Sequence, residues 1–146
     1  MYDIREESTE EALDDCILLG KSHNDEVMTS AYNPNKSLLL LILNAGMLSI
    51  VTARQNGVLV GYWLNVITED FLSSTIMARE GAFFVHPEAR GSSVFFRMLK
   101  LTEKIAKDKG ALQQLIMFEE GHDDGLAPRL GYKLLERVYK KNLGDS

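Results

Sequence analysis

The stretch from 85 to 99 reads VHPEARGSSVFFRML: a proline turn, then Arg90, Gly91, Ser92 and Ser93, then apolar residues at helical spacing from Val94 onward. Two chemistries fit this spacing. A glycine turn opening onto a helix presents unpaired backbone N–H groups and the positive end of the helix dipole, which together hold a phosphate. The same residues also make an ordinary helix start with a serine cap, and the stretch alone leaves both readings open. His23 and Glu26 stand three apart on an expected helix, the spacing of half a metal site or of an acid–base pair. With no second group of ligands beside them, a solvated helix face is the expectation. Cys16 shares an apolar helix face with Ala12, Leu13 and Leu19, among acidic residues that raise a thiol pKa, so it reads as a core residue and not a nucleophile. As the only cysteine it excludes an internal disulfide and a cysteine-built zinc site.

The elements that must position these residues follow from pattern. Residues 2–5 suit a short strand. STEEALDDCILLGKS then opens with Ser8 or Thr9 as cap, carries acidic residues in its first turn, and is expected to stop at Gly20. NDEVMTSAY suits a further short helix and NKSLLLLILNAG another, closed by Gly46, with a loop between Asn33 and Lys36. MLSIVTARQNGVLVGYWLNVI holds two β-rich runs around Asn56-Gly57, the dipeptide that best tolerates the positive φ angles of a tight hairpin turn. Ser73 and Ser74 mark a turn before TIMAREGAFFV, a strand ending at Pro87. From Ser92 to Lys109, Val94, Phe95, Met98, Leu101, Thr102 and Ile105 share one helical face, whereas Arg97, Lys100, Lys104 and Lys107 share another, and Gly110 stops the helix. ALQQLIMFEE reads as a fifth strand, DDGLAPRLG as a short helix or turn, and YKLLERVYKKNL as a final strand.

A chain of 146 residues with 45% hydrophobic and 25% charged residues suits one folded domain with one core, residues 1–146. The longest apolar run, residues 38–43, is far short of the roughly 20 residues that cross a bilayer. The acidic N-terminus is unlike a signal peptide, so a cytoplasmic protein is expected. Residues 1–87 carry 5 basic and 12 acidic side chains and residues 88–146 carry 11 and 9, for a net charge of −5. That balance argues against a nucleic-acid binder.

The strand and helix order, with NGVLVGY in the hairpin, FFVHPEARG at the turn and PRLGYKLLERVYKKNL at the close, resembles the GNAT superfamily of acyl-CoA-dependent N-acyltransferases, in particular the small GNAT proteins of tailed phages. The resemblance spans nearly the whole chain. It implies an α/β (α+β) fold: a mixed, mostly antiparallel twisted sheet, splayed between strands four and five and flanked by helices. It also implies acetyl-CoA as cofactor and acetyl transfer to the primary amine of a small molecule or protein. A homodimer is compatible with it, and no nucleic acid or membrane partner is expected. The alternative is a non-catalytic GNAT-fold binding or scaffold protein, such as a phage modulator of a host protein or a virion component.

By the same resemblance, Arg90, Gly91, Ser92, Ser93 and Val94 hold the pyrophosphate, and the backbone of Phe83, Phe84 and Val85 pairs with the pantetheine arm and polarises the thioester. Glu80, on the fourth strand, is implied as the general base, directly or through water, because a bulge in that strand shifts the register and aims a side chain at the cleft. Glu119 or Glu120 is the next candidate. Arg97 and Lys100, the first members of the basic stripe, are implied near the 3′-phosphate, the rest forming a solvated face. Two positions depart from the family pattern. Phe95 stands where the family keeps a small residue, and its ring must turn down into the core beside Met98 and Thr102 to leave the turn open. Ala127 stands where many members keep the tyrosine that reprotonates the thiolate. No residue inherits that task by position: Tyr132 and Tyr139 are nearby in sequence, and His122 has the near-neutral pKa to do it. Tyr132 also reads as core and His122 as a loop residue, and a thiolate can also leave unassisted into water.

Overall fold

In the computed structural model, residues 1–27, 32–118 and 125–144 are described, the side chains of 25–27 excepted. They divide into two compact units, Met1–Ile116 and Met117–Ser146.

The first unit is a five-stranded sheet in the order β1 (Tyr2–Glu6), β2 (Leu48–Gln55), β3 (Val58–Glu69), β4 (Ile76–Val85) and β5 (Gln113–Leu115). The first three pairings are antiparallel and β4–β5 is parallel. The β2–β3 hairpin turns on Asn56 and Gly57, at φ 52° and 80°, the left-handed values that this dipeptide accepts at little cost. The β3–β4 turn uses Ser74 at φ 59°. Among the described residues of ALQQLIMFEE, Gln113, Gln114 and Leu115 join the ladder, opposite Met77, Ala78 and Arg79.

Side-chain alternation along the strands gives the sheet two apolar faces. On one, Leu48 and Ile50 of β2, Tyr62 of β3 and Phe84 of β4 pack against Ala12, Leu13 and Cys16 of α1 (Glu10–Val27), with Leu39, Leu40, Ile42 and Leu43 of α2 (Lys36–Asn44) at its margin. Leu13, Leu48 and Ile50 are fully buried, worth about 1.5–3 kcal/mol each. Cys16 is a core residue here. Burial, and then the charge of Asp15, pushes its thiol up to about 12. On the other face, α3 (Val94–Asp108) buries Val94, Met98, Leu99, Thr102, Ile105 and Ala106, and Phe95 packs its ring on Trp63 and Phe83.

The caps follow the sequence closely. Thr9 Oγ1 accepts from the Ala12 N–H at 3.1 Å to start α1, Asn35 Oδ1 accepts from the Leu38 N–H at 3.0 Å to start α2, and Gly46 and Gly110 close α2 and α3 in the left-handed region at φ 75° and 91°. Gly20 behaves differently. It does not stop α1, which runs through it to Val27 and absorbs the start of the separate helix expected over NDEVMTSAY; residues 28–31 lie outside the described residues. A β-carbon at Gly20 would lie 2.5 Å from the Tyr32 hydroxyl and 3.1 Å from that of Tyr62. The glycine there admits two tyrosines to the helix surface.

The basic stripe on α3 is largely engaged within the protein. Arg97 donates to the Tyr2 carbonyl at 3.4 Å, Lys100 lies 5.2 Å from the Phe96 ring centre and 3.9 Å from Glu103, and Lys104 bonds Asp108 at 2.8 Å. Arg54 of β2 donates to Glu7 at 2.8 Å and to Asp15 of α1 at 2.9 Å.

The second unit holds one short helix, α4 (Leu126–Arg129), entered through Gly125 at φ 73° and left through Gly131 at φ 86°. Among the described residues, the final strand expected over YKLLERVYKKNL forms no ladder. Its pattern explains why: Leu134 and Leu135 fall on opposite faces, each alternating with charged residues, so neither face is apolar enough to commit to a core. Among the described residues no helix is long and apolar enough to cross a membrane.

Candidate functional site

The candidate site is strung along β4 and the turn that follows it. Leu64 of β3 faces Ala82, but its neighbour Asn65 faces Glu80, so Gly81 is an extra residue bulged out of the ladder. A β-carbon at Gly81 would meet the Leu64 carbonyl oxygen at 3.3 Å, tighter than a side chain is normally held. The bulge interrupts the strict alternation of sides along β4 between Glu80 and Ala82. Glu80 is 7% exposed, a carboxyl carried into the interior and not an outward-facing strand charge.

The sheet forks beside it. The β4–β5 ladder ends at Arg79 and Leu115, whereas β4 stays paired with β3 as far as Val85, opposite Gly61. Just before the fork, Asn65 of β3 and Gln114 of β5 join their side chains across β4. The Asn65 amide donates to Gln114 Oε1 at 3.0 Å and the Gln114 amide donates to Asn65 Oδ1 at 2.9 Å. Ala78, fully buried and opposite Gln114, is small enough to be bridged.

Beyond the fork come Phe83, Phe84 and Val85. Phe83 stacks on Trp63, with ring centres 4.6 Å apart, and faces α3. Phe84 turns to the other side, where the His23 ring of α1 stacks on it at 4.9 Å and 18° and Tyr62 lies tilted at 6.4 Å. The Tyr62 hydroxyl stands 3.5 Å from His23 Nδ1, and the Tyr32 hydroxyl donates to the Ile17 carbonyl at 2.6 Å. Burial first, and then negative charge on neighbours that include Glu80, pushes the Tyr62 hydroxyl well above its ordinary range, so it stays protonated. His23 and Tyr62 therefore join the β4 residues, an association the His23–Glu26 spacing gave no sign of. The side chain of Glu26 lies outside the described residues.

After β4 the chain makes a single tight turn of helix at Pro87–Ala89, with His86 Nδ1 accepting from the Glu88 N–H at 3.2 Å. Arg90 ties this turn back to the strand: its Nε donates to the Val85 carbonyl at 2.8 Å and its guanidinium lies 5.4 Å from the Phe84 ring centre. Gly91 takes φ 81°, and a β-carbon there would meet nothing within 4 Å, so the space in front of the turn is open. Ser93 occupies the N-cap of α3, and the side-chain bond at this helix start comes from Ser92, one residue earlier. Ser92 Oγ donates to the Ala89 carbonyl at 2.5 Å and accepts from the Val94 N–H at 3.3 Å, whereas Ser93 makes no side-chain cap. The ring of Phe95 is turned away from the turn, 5.6 Å from Phe83 and 5.7 Å from Trp63. The departure from the family pattern at Phe95 is taken up by aromatic packing on Phe83 and Trp63.

An open, left-handed glycine followed by the N-terminus of a 15-residue helix is a donor set suited to an anionic phosphate. Phe83, Phe84, Val85, Arg90, Gly91, Ser92, Ser93 and Val94 thus form one continuous path from the bulge to the helix. His122, Glu119 and Glu120 lie outside the described residues. Ala127 and Tyr132 belong to the second unit, where the Ala127 carbonyl accepts from the Tyr132 N–H at 3.0 Å. Among the described residues no three His, Cys, Asp or Glu side chains are grouped as a metal site.

Solved structures share this architecture. The ribosomal-protein-alanine N-acetyltransferase of Brucella melitensis biovar Abortus 2308 superposes with a TM-score of 0.75 at 15% identity, over 99% of this chain and 100% of that one. The aminoglycoside N-acetyltransferase AAC(6')-Iy in complex with CoA gives 0.73 at 22% identity, over 96% and 99%. An aminoglycoside acetyltransferase from an uncultured soil metagenomic sample, in complex with sisomicin, gives 0.76 at 16% identity, over 99% and 97%. At these identities the likeness is one of fold. No curated protein matches the chain by sequence. The sequence pattern of the acetyltransferase (GNAT) family, in contrast, matches residues 3–132, from the first strand through the turn at Gly91 to the closing Gly-Tyr pair, and the chain belongs to that family.

Proposed function

We propose that residues 1–146 form one acyltransferase domain that moves an acetyl group from acetyl-CoA to a primary amine. The family match crosses the boundary between the two units and so supports reading them as one domain. Acetyl-CoA is the cofactor of the family, and it supplies an acetyl group activated as a thioester. The observation that carries the reading is the continuity of β4: a buried carboxyl at its bulge, a strand edge left by β5, and an open glycine turn tied to its end by Arg90.

The turn binds. The N–H groups of Gly91, Ser92 and Ser93, that of Val94 on release from Ser92 Oγ, and the dipole of α3 attract the pyrophosphate. The backbone of Phe83, Phe84 and Val85 aligns the pantetheine arm and offers N–H groups to the thioester carbonyl, where negative charge develops. Glu80, directly or through a water, takes the proton that the acceptor amine must lose. His122 is the group that returns a proton to the departing thiolate. The neighbouring enzymes named for ribosomal-protein alanine and for aminoglycosides support an amine acceptor, and the acidic first half of the chain favours a cationic one.

Isothermal titration with acetyl-CoA and with CoA tests the donor half of this reading: saturable heat is expected for both, and none at millimolar ligand overturns it. Labelled acetyl-CoA incubated with a cell extract reports the acceptor. Ala127 favours a second reading, a binding protein without catalysis. It requires partner binding that survives substitution of both Glu80 and Arg90.

A further inference from the structure

Past the fork, β4 is held along one edge. Among the described residues its ladder with β5 ends at Arg79, whereas its ladder with β3 runs on to Val85, opposite Gly61. The amides of this stretch divide between the two edges. The His86 N–H donates to the Val60 carbonyl of β3 at 2.7 Å, and successive amides of a strand point to alternate edges, so the Phe84 amide also faces β3. The amides of Phe83 and Val85 therefore face the edge that β5 has left. The Val85 carbonyl, on that same edge, accepts from Arg90 Nε.

Phe84 sits between those two amides, and three groups grip its ring. Tyr62, its partner across the β3–β4 ladder, lies tilted at 6.4 Å, and the Arg90 guanidinium lies 5.4 Å from the ring centre. Both belong to the strand pair and the turn that follows it. His23 is the hold from outside: its imidazole stacks on Phe84 at 4.9 Å and 18°, from a helix fastened to the same face of the sheet through Ala12, Leu13 and Cys16. The Tyr62 hydroxyl, 3.5 Å from His23 Nδ1, limits rotation of the imidazole. A flat ring lying parallel to another fixes its tilt as well as its distance, which an aliphatic side chain of similar bulk does not.

We propose that His23 is a positioning residue for acetyl transfer, acting through the Phe84 ring to hold the Phe83 and Val85 amides where the thioester carbonyl meets them. The proposal rests on acetyl-CoA being the donor. Stabilising a developing oxyanion depends on donors fixed in place beforehand, and a misplacement of about 1 Å costs on the order of 100-fold in rate. The turn at Gly91 does not include His23, so cofactor affinity and thioester polarisation separate in His23 variants.

Difference infrared spectroscopy of the complex with acetyl-CoA, isotope-labelled at its carbonyl carbon, reads that polarisation directly. In the parent chain the carbonyl band is expected at lower frequency than in free acetyl-CoA. His23→Ala and His23→Leu should return it most of the way to the free value, with CoA affinity by calorimetry held within about threefold. His23→Phe, which keeps a flat ring, should retain the shift. His23→Leu fills the space beside Phe84, so it decides the matter if His23→Ala does not fold. A shift in His23→Leu equal to the parent's overturns the proposal alone, because bulk then suffices, and so does loss of the shift in His23→Phe. An unshifted band in a parent chain that binds acetyl-CoA overturns it by removing the polarising role of β4. A parent chain that binds neither acetyl-CoA nor CoA sinks the donor reading, and the proposal with it.

Discussion

The two ends of β4 differ in how they are built. At its far end, the turn through Arg90 and Gly91 is exposed and made of backbone: a left-handed glycine, a serine cap and the start of a helix. At the bulge, Glu80 is buried and its setting is made of side chains and pairing, with Asn65 opposite, Gly81 displaced and β5 departing. The turn tolerates changes of side chain so long as its backbone keeps its shape, as Phe95 shows by swinging its ring onto Phe83 and Trp63. The bulge tolerates little, because a one-residue change of register alters which side chain faces inward. A donor held by backbone and a proton acceptor held by register should fail separately when each is disturbed.

The largest separation is expected at the turn. Gly91→Asp brings a negative charge and a left-handed strain to the place where the pyrophosphate is bound, and calorimetry should register no acetyl-CoA binding. At the other end, Glu80→Gln should leave acetyl-CoA affinity near that of the parent chain while turnover falls roughly 100-fold, the scale for losing a general base. Equal losses of affinity and turnover in Glu80→Gln would merge the two ends into one site.

Smaller effects sharpen the contrast through stability. Phe95→Ala should cost about 2–3 kcal/mol in denaturant unfolding, below the full figure for a buried phenylalanine because the ring is only half-buried, with acetyl-CoA binding retained. Gln114→Leu leaves the buried Asn65 amide without its partner and should cost about 1–2 kcal/mol.

The smallest effect lies away from both ends, at Glu7. Burial pushes its carboxyl up, but hydrogen bonds from Thr52 and Arg54 outweigh burial and hold it below the ordinary value of 4.5. A carboxyl lowered on folding adds stability above its unfolded value, and that stability is lost as pH falls through the folded value. Glu7→Gln should therefore lower stability by less than about 1 kcal/mol at neutral pH, and the difference from the parent chain should shrink as pH falls below 4.5.

What was legible in the sequence is what local geometry decides. Asn56-Gly57 makes its hairpin, Gly46 and Gly110 end their helices, and Gly91 makes its turn, because each requires a positive φ that its own neighbours impose. Gly20 misled for the converse reason: its want of a side chain answers the hydroxyls of Tyr32 and Tyr62, which come from elsewhere in the chain. The closeness of His23 to Phe84 has the same origin, a helix laid on a strand sixty residues away, and no spacing within either segment encodes it. Glu80 is intermediate. The carboxylate could be picked out by its place before the turn, but its burial depends on where β3 and β4 slip by one residue.

The amide clasp between Asn65 and Gln114 also governs how the sheet behaves under load. Two strands that diverge act as a wedge, and anything entering between them pushes hardest at the vertex. Three residue pairs of parallel ladder are a weak hinge against such a push. By crossing over β4, the clasp hands the load on β5 to β3, the most firmly held strand of the sheet, and works as a rivet at the root of a crack. The point at which β4 loses its β5 neighbour is thereby pinned beside Glu80.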